Sequence, residues 1–197
     1  MKASGLPVGW AGKVERALVA ALLLGAAVAR TQTEPPSPAP APTEYEVKAA
    51  FLYNFTRFVE WPAEALRHPG APFVIAILGR DPFGTVIDET VAGKTAGGRP
   101  IEVRRVPRVE EARDAQIVFV SSSERSSLAP ILKALDHPGI LTVGDTDGFA
   151  MRGGAINFTL QARKVRFEIN PAVTEQAGLK VSSQLLKLAT LVAGPRP

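Results

Sequence analysis

The chain has no cysteine among its 197 residues, which removes disulfides, thiolate nucleophiles and every cysteine-containing metal site together. Histidine is nearly as scarce. His68 and His137 are the only two, and each opens a His-Pro-Gly tripeptide whose proline and glycine mark a turn, not a paired ligand set. No serine stands in a Gly-x-Ser-x-Gly elbow, and the glycines are not spaced as a phosphate-binding loop or a dinucleotide fingerprint. Asp145-Thr146-Asp147-Gly148 has the opening of a calcium loop, but the twelfth position, which must supply a glutamate, is Ile156. The residues therefore assign no catalytic group, no cofactor and no metal, and the chain is not expected to be an enzyme.

An apolar run long enough to span a bilayer is also missing. The uncharged stretch from Ala17 to Ala29 has thirteen residues; as a helix it reaches ~20 Å, against ~30 Å for the hydrocarbon core. It follows Lys2, Lys13 and Arg16 and ends in Ala27-Val28-Ala29, the layout of a cleavable signal peptide. Residues 1–29 are expected to leave on export. The next segment, 30–42, is proline-rich, with Glu-Pro-Pro-Ser-Pro-Ala-Pro-Ala-Pro from Glu34 to Pro42. It reads as an extended linker that forms neither helix nor ladder. A large excess of charge is lacking as well, because losing residues 1–29 lowers the net charge from +4 to +2. Nucleic acid is not expected as a partner, since that role needs a concentrated basic face. Arg104-Arg105 and the cluster from Arg163 to Arg166 read as solvated strand faces.

What remains is one domain, residues 43–193. Thr43 with Glu46 three residues later is a capping box that starts a helix where the prolines stop, and Trp61-Pro62 ends it near Val59. This helix is aromatic-rich: Tyr45, Phe51, Tyr53, Phe55, Phe58 and Trp61 are six of the thirteen aromatic residues. Val47, Phe51, Phe55, Phe58 and Val59 follow helical spacing and are expected to face the core. Tyr45, Leu52 and Tyr53 fall outside that stripe, so they are candidates for packing against another helix or against a second copy of the chain.

Strand and helix then alternate. Strands are expected at Phe73 to Leu78, Ile101 to Val106, Gln116 to Val120 and Ile140 to Val143, with helices up to about Val91 and from Glu124 to Leu135. Ile156 to Gln161 and Lys164 to Asn170 form a hairpin if Ala162 and Arg163 are its loop. Leu160 then faces Val165, Phe158 faces Phe167 and Ile156 faces Ile169, while Asn157, Thr159, Arg166 and Glu168 share the other face. A last helix is expected after Ser182, with Leu185, Leu188, Ala189 and Val192 on one side. These elements predict an α/β three-layer sandwich: a mixed, mostly parallel sheet with helices on both faces and a C-terminal β-hairpin. The turns Gly79 to Gly84 and Ser121 to Ser123 fall at strand carboxyl ends, where a small ligand could bind.

Gly153-Gly154-Ala155-Ile156-Asn157-Phe158, then Lys164-Val165-Arg166-Phe167-Glu168-Ile169-Asn170 and the ending Ala177-Gly178-Leu179-Lys180-Val181-Ser182-Ser183-Gln184-Leu185-Leu186-Lys187-Leu188-Ala189, resemble the YfiR-like family of bacterial periplasmic proteins. Val47 to Phe55 running to Phe58-Val59-Glu60-Trp61-Pro62 is similar to the family's opening helix, and Ile140 to Asp145 matches in the middle. The resemblance implies a regulator that acts by contact, binding and repressing a membrane-anchored diguanylate cyclase through its periplasmic domain, in cyclic-di-GMP signalling. It implies membrane contact only through that partner or an uncleaved signal. Some YfiR-like proteins carry disulfides linked to regulation, and this cysteine-free chain departs from them. For the partner surface the residues singled out are Phe149, Met151, Arg166 and Glu168; the alternative is a periplasmic small-ligand-binding protein that uses the strand-end cleft.

Overall fold

The structure, a computed structural model, describes residues 41–66, 68 and 70–194. The expected signal peptide and nearly all of the linker lie outside the described residues.

In chain order the elements are α1 (Glu44–Phe58), β1 (Val59–Glu60), β2 (Phe73–Leu78), α2 (Val86–Val91), β3 (Thr95–Ala96), β4 (Arg99–Val106), β5 (Ile117–Val120), α3 (Leu128–Ala134), β6 (Leu141–Gly144), β7 (Ile156–Gln161), β8 (Lys164–Ile169), α4 (Pro171–Gln176), β9 (Lys180–Val181), α5 (Ser183–Leu188) and β10 (Thr190–Leu191). Eight strands form one sheet in the order β10-β8-β7-β6-β5-β2-β4-β3. Its pairs are parallel except at β7 with β8 and β3 with β4. β2-α2-β4 and β5-α3-β6 are the two expected crossover units, and helices cover both faces, so the domain is the predicted three-layer α/β sandwich.

Pleat alternation divides the core in two. Phe73, Ile75 and Ile77 of β2, with Ile117 and Phe119 of β5, face Leu52 and Phe55 of α1, Ile87 of α2, Val173 of α4 and Leu185 of α5. Val74, Ala76 and Leu78, with Val118 and Val120, face Leu128, Ile131 and Leu132 of α3 on the other side. β2 is buried at all six positions, as a central parallel strand covered on both faces must be.

α1 starts as predicted: Glu46 donates its amide to the Thr43 hydroxyl, and the Glu46 carboxylate accepts from the Thr43 amide. Its buried face is rotated from the expected stripe. Lys48, Ala49, Leu52, Phe55 and Thr56 are buried, whereas Phe51 and Phe58 pack only partly buried against the core. Phe51 and Phe55 pack over the hairpin, Phe51 tilted and Phe55 edge-on to Phe167, with ring centroids 5.2 and 5.7 Å away.

The hairpin has the predicted register, Ile156 opposite Ile169, Phe158 opposite Phe167 and Leu160 opposite Val165. Ala162 and Arg163 form its turn with φ of 48° and 61°. Both central residues of a type I′ turn need positive φ, and side-chain-bearing residues pay about 1–2 kcal/mol each for it.

Three local departures have local causes. The helix expected from Glu124 begins instead as a 3-10 turn, Ser122–Ser127, capped by Ser121, and Pro130 falls in the first turn of α3, where its missing amide costs nothing. α4 was not anticipated; Asn170 precedes it and Pro171 opens it, a pairing that sets a helix start. The last helix stops at Leu188, with only Leu185 buried, and Thr190–Leu191 joins the sheet beside β8. Leu188 and Leu191 are therefore exposed, not lined along a helical face. Ser182 caps α5 by accepting the Leu185 amide at 3.2 Å, and β9 pairs with β1, so the end of the domain meets the end of α1.

Candidate interaction surfaces

The parallel strands end at Leu78, Val120 and Gly144, the edge where small molecules bind in open α/β sheets. Here that edge is occupied by the protein's own side chains. The Arg80 amide donates to the Ser123 hydroxyl at 3.0 Å, the Ser123 amide to Ser121 Oγ at 3.3 Å, and the Phe83 amide to Asp81 Oδ1 at 2.7 Å. A shallow cleft of about 360 Å3 remains between Arg80, Pro82 and the three serines. Beside it, Arg105 of β4 donates to Asp81, Asp88 and the Gly84 carbonyl. That hydrogen bond from Arg105 holds the Asp88 carboxyl below its usual range, so the arginine acts as a clamp on the turn before α2.

Asp145, one residue past β6, accepts from Lys48 Nζ at 2.8 Å and from the Tyr45 hydroxyl at 3.1 Å. Lys48 and Asp145 have only 3% and 6% of their side chains exposed, so this is a buried ion pair, extended by Glu44 one helical turn before Lys48. Burial and the adjacent Asp145 carboxylate push the Tyr45 phenol above its ordinary range. Asp145 thus belongs to a structural pair, and the Asp145-to-Gly148 loop closes as a turn, with the Phe149 amide on the Thr146 carbonyl at 2.9 Å. Among the described residues no group of three acidic or histidine side chains is placed to hold a metal. Lys48 could have been flagged in the sequence. It lies on the same helical face as Leu52 and Phe55, and an ammonium at a core position requires an acid partner.

A cleft of about 390 Å3 opens at the opposite, amino end of the strands, between Ala65, His68, Arg99, Arg104, Asp114 and Gln116. Several of its polar side chains are engaged. Arg99 caps the carbonyls of Leu66, His68 and Ala71, Arg104 pairs with Glu102 and Asp114, and Gln116 bridges the Val74 amide and the Ala65 carbonyl.

The residues singled out for contact are dispersed. Phe149 is fully buried and leaves the surface set: its ring lies against Gly144 and Gly154, where an added Cβ would come within 2.5 and 2.1 Å. Leu52 is likewise core. Tyr45 packs edge-on to Phe83 at 5.3 Å, and Tyr53 is half-buried beneath Lys94, whose Nζ sits 4.5 Å from the ring centre; the turns on either side of α2 therefore cover the second side of α1. Met151 is more than half exposed. Its turn is tied to the end of β8 by Asn170, which donates to the Ala150 carbonyl at 3.0 Å, and Gly194 runs against its backbone. Arg166 is exposed, while Glu168 is half-buried and accepts from Asn157 at 3.0 Å. Leu160, Leu188 and Leu191 join Met151 as large apolar side chains more than half exposed. None of the three leucines is singled out for contact by the sequence, which places Leu160 on the apolar face of the hairpin and Leu188 on the apolar side of the last helix and assigns Leu191 to no face.

Among the described residues no helix is long and apolar enough to cross a membrane. The model of the YfiR/HmsC-like family matches residues 45–190. No curated protein sequence matches the chain. Among solved structures, an ABC domain in complex with L-Trp from Streptococcus pneumonia is similar at a TM-score of 0.50 and 13% identity, over 73% of this chain and 60% of that one. A conserved domain protein from Vibrio cholerae O1 biovar El Tor is similar at a TM-score of 0.50 and 11% identity, over 76% of this chain and 60% of that one. The chain thus spans well under two thirds of either structure, and both likenesses show the fold alone.

Proposed function

Because the chain belongs to the YfiR/HmsC-like family, we propose that it is a periplasmic regulator that docks on the periplasmic domain of a membrane-anchored diguanylate cyclase and holds the enzyme inactive. The observation that carries this reading is the family match across residues 45–190. It is supported by the internal engagement of charged side chains near both ends of the sheet: Lys48 with Asp145, Arg105 with Asp81 and Asp88, and Arg99 with three backbone carbonyls. Export by a signal peptide at residues 1–29 and tethering through segment 30–42 belong to the same proposal.

Repression by contact is a population shift: the regulator must bind the inactive form of its target more tightly than the active one. The test is to co-express the chain with a membrane-anchored cyclase of the same organism and measure cyclic di-GMP. The expected result is lower cyclic di-GMP with the exported chain and no effect when residues 1–29 are removed. Unchanged cyclic di-GMP with the exported chain present would reject the reading.

A second reading, small-ligand binding at the strand ends, is favoured by one observation: a structure of the same fold is described as a complex with L-Trp. The Arg80, Pro82 and Ser121 to Ser123 cleft is where such a ligand would enter. Saturable thermal stabilisation by a small metabolite, lost on filling the cleft with Ser122→Trp, is its signature.

A further inference from the structure

The β7–β8 hairpin is longer than the sheet that holds it. β6 pairs only with Ile156 and Asn157, and β10 pairs only with Glu168 and Ile169. The four outer pairs, from Phe158 with Phe167 to Gln161 with Lys164, therefore have no third strand on either side among the described residues. They form a two-stranded arm that leaves the sheet, anchored at its root by Phe158 and Phe167 under Phe51 and Phe55.

The outer half of the arm is basic. Three of the four residues from Arg163 to Arg166 are cations, and all three are exposed. Among the described residues none of them forms an ion pair, whereas Arg104, Arg105, Arg108 and Arg125 all do. Lys164 and Arg166 lie on one face, two residues apart; Arg163 occupies the turn, and Leu160 is exposed on the reverse side. Glu168 is the hairpin's only carboxylate, and it is spent on Asn157. The turn also keeps Ala162 and Arg163 at positive φ, where asparagine and glycine would relax it, so an arginine is retained at the tip against the backbone's preference.

We propose that this arm is a docking element for an acidic protein surface. Under the function proposed above, on which this inference rests, that surface belongs to the periplasmic domain of the target cyclase. Charge complementarity of this kind speeds encounter and fixes orientation, and it weakens as salt screens it. Lysine on an exposed edge strand also guards against strand-to-strand aggregation, a role that charge of either sign fulfils. Reversing the sign while keeping the amount of charge separates the two roles.

The test compares the exported protein with its Arg163→Glu, Lys164→Glu, Arg166→Glu variant. Circular dichroism and gel filtration are expected to be unchanged, since all three side chains are exposed. Affinity for the purified periplasmic domain of the cyclase should fall at least tenfold, and the salt dependence seen with the parent should largely vanish. Equal binding by the variant would overturn the arm proposal and leave the proposed function standing. Should the parent fail to bind that domain at all, the functional reading falls, and poly-L-glutamate decides the arm: binding lost in the variant upholds it, and no binding by the parent overturns it. Binding to phosphatidylglycerol vesicles without binding to either acidic polypeptide would also overturn it, because the arm would then address a membrane.

Discussion

Lys48 and Asp145, 97 residues apart in the chain, meet at 2.8 Å and are both withdrawn from water. The pair fastens the first turns of α1 to the end of β6. Removing Lys48 leaves the Asp145 carboxylate without a cation in the interior, so Lys48→Ala should cost about 3–5 kcal/mol of unfolding free energy, whereas Asp145→Ala should cost less, because Glu44 still pairs with Lys48. The joint change Lys48→Met with Asp145→Leu should recover most of that loss, since well-packed apolar replacements of a buried pair are often neutral. Urea denaturation of the three variants measures both outcomes.

The phenol of Tyr45 predicts an alkaline limit. Its folded pKa is raised above the unfolded value of about 10, so the folded state holds the phenolic proton more tightly than the unfolded chain does. That contribution is complete below about pH 10 and is lost as pH rises towards the folded value. Stability should therefore decline above about pH 10, and Tyr45→Phe should flatten this part of the profile. Thermal melts of both proteins between neutral and strongly alkaline pH provide the comparison.

Gly154 is set by contact rather than by a left-handed backbone: a Cβ there would stand 2.1 Å from the Phe149 ring. Gly154→Ala should cost about 1–3 kcal/mol through overpacking. Because the obstacle is one ring, combining it with Phe149→Leu should give a loss smaller than the sum of the single changes. Strict additivity in that double-mutant cycle would show that the contact does not limit position 154.

Deleting residues 183–197 removes buried Leu185, the cap partner of Ser182 and the strand β10 that closes the edge of the sheet. The truncated protein should lose its cooperative melt. An unchanged transition would mean that the segment is dispensable to the core.

The sequence disclosed most where the controlling contacts are local. Phe73 to Leu78 announces a fully buried strand by its unbroken apolar run, Thr43 and Glu46 announce a helix start, and the two-residue spacing of Ala162 and Arg163 fixes the hairpin register outright. Legibility failed where a residue's environment is supplied by distant chain. The buried face of α1 turned toward Lys48 because Asp145 waits at the end of β6, and no window around Lys48 contains that acid. Thr190 and Leu191 carry too few residues to show strand periodicity, and they become a strand only because β8 presents an open edge. Phe149 is a different case: Gly144 and Gly154 are close to it in sequence, but that they leave room for its ring rather than only turning the chain is visible in the fold alone. The candidate arm was legible in part: the cluster from Arg163 to Arg166 was visible as charge, but its projection past β6 and β10 is a property of the sheet.

The capping box at Thr43 and Glu46 carries a consequence for how the protein is attached to whatever precedes it. Since the Thr43 hydroxyl and the Glu46 carboxylate cap each other's amides, this helix start is satisfied by residues of the domain itself. Under the tether proposed for segment 30–42, changing its length should alter the reach of the domain and leave this cap intact.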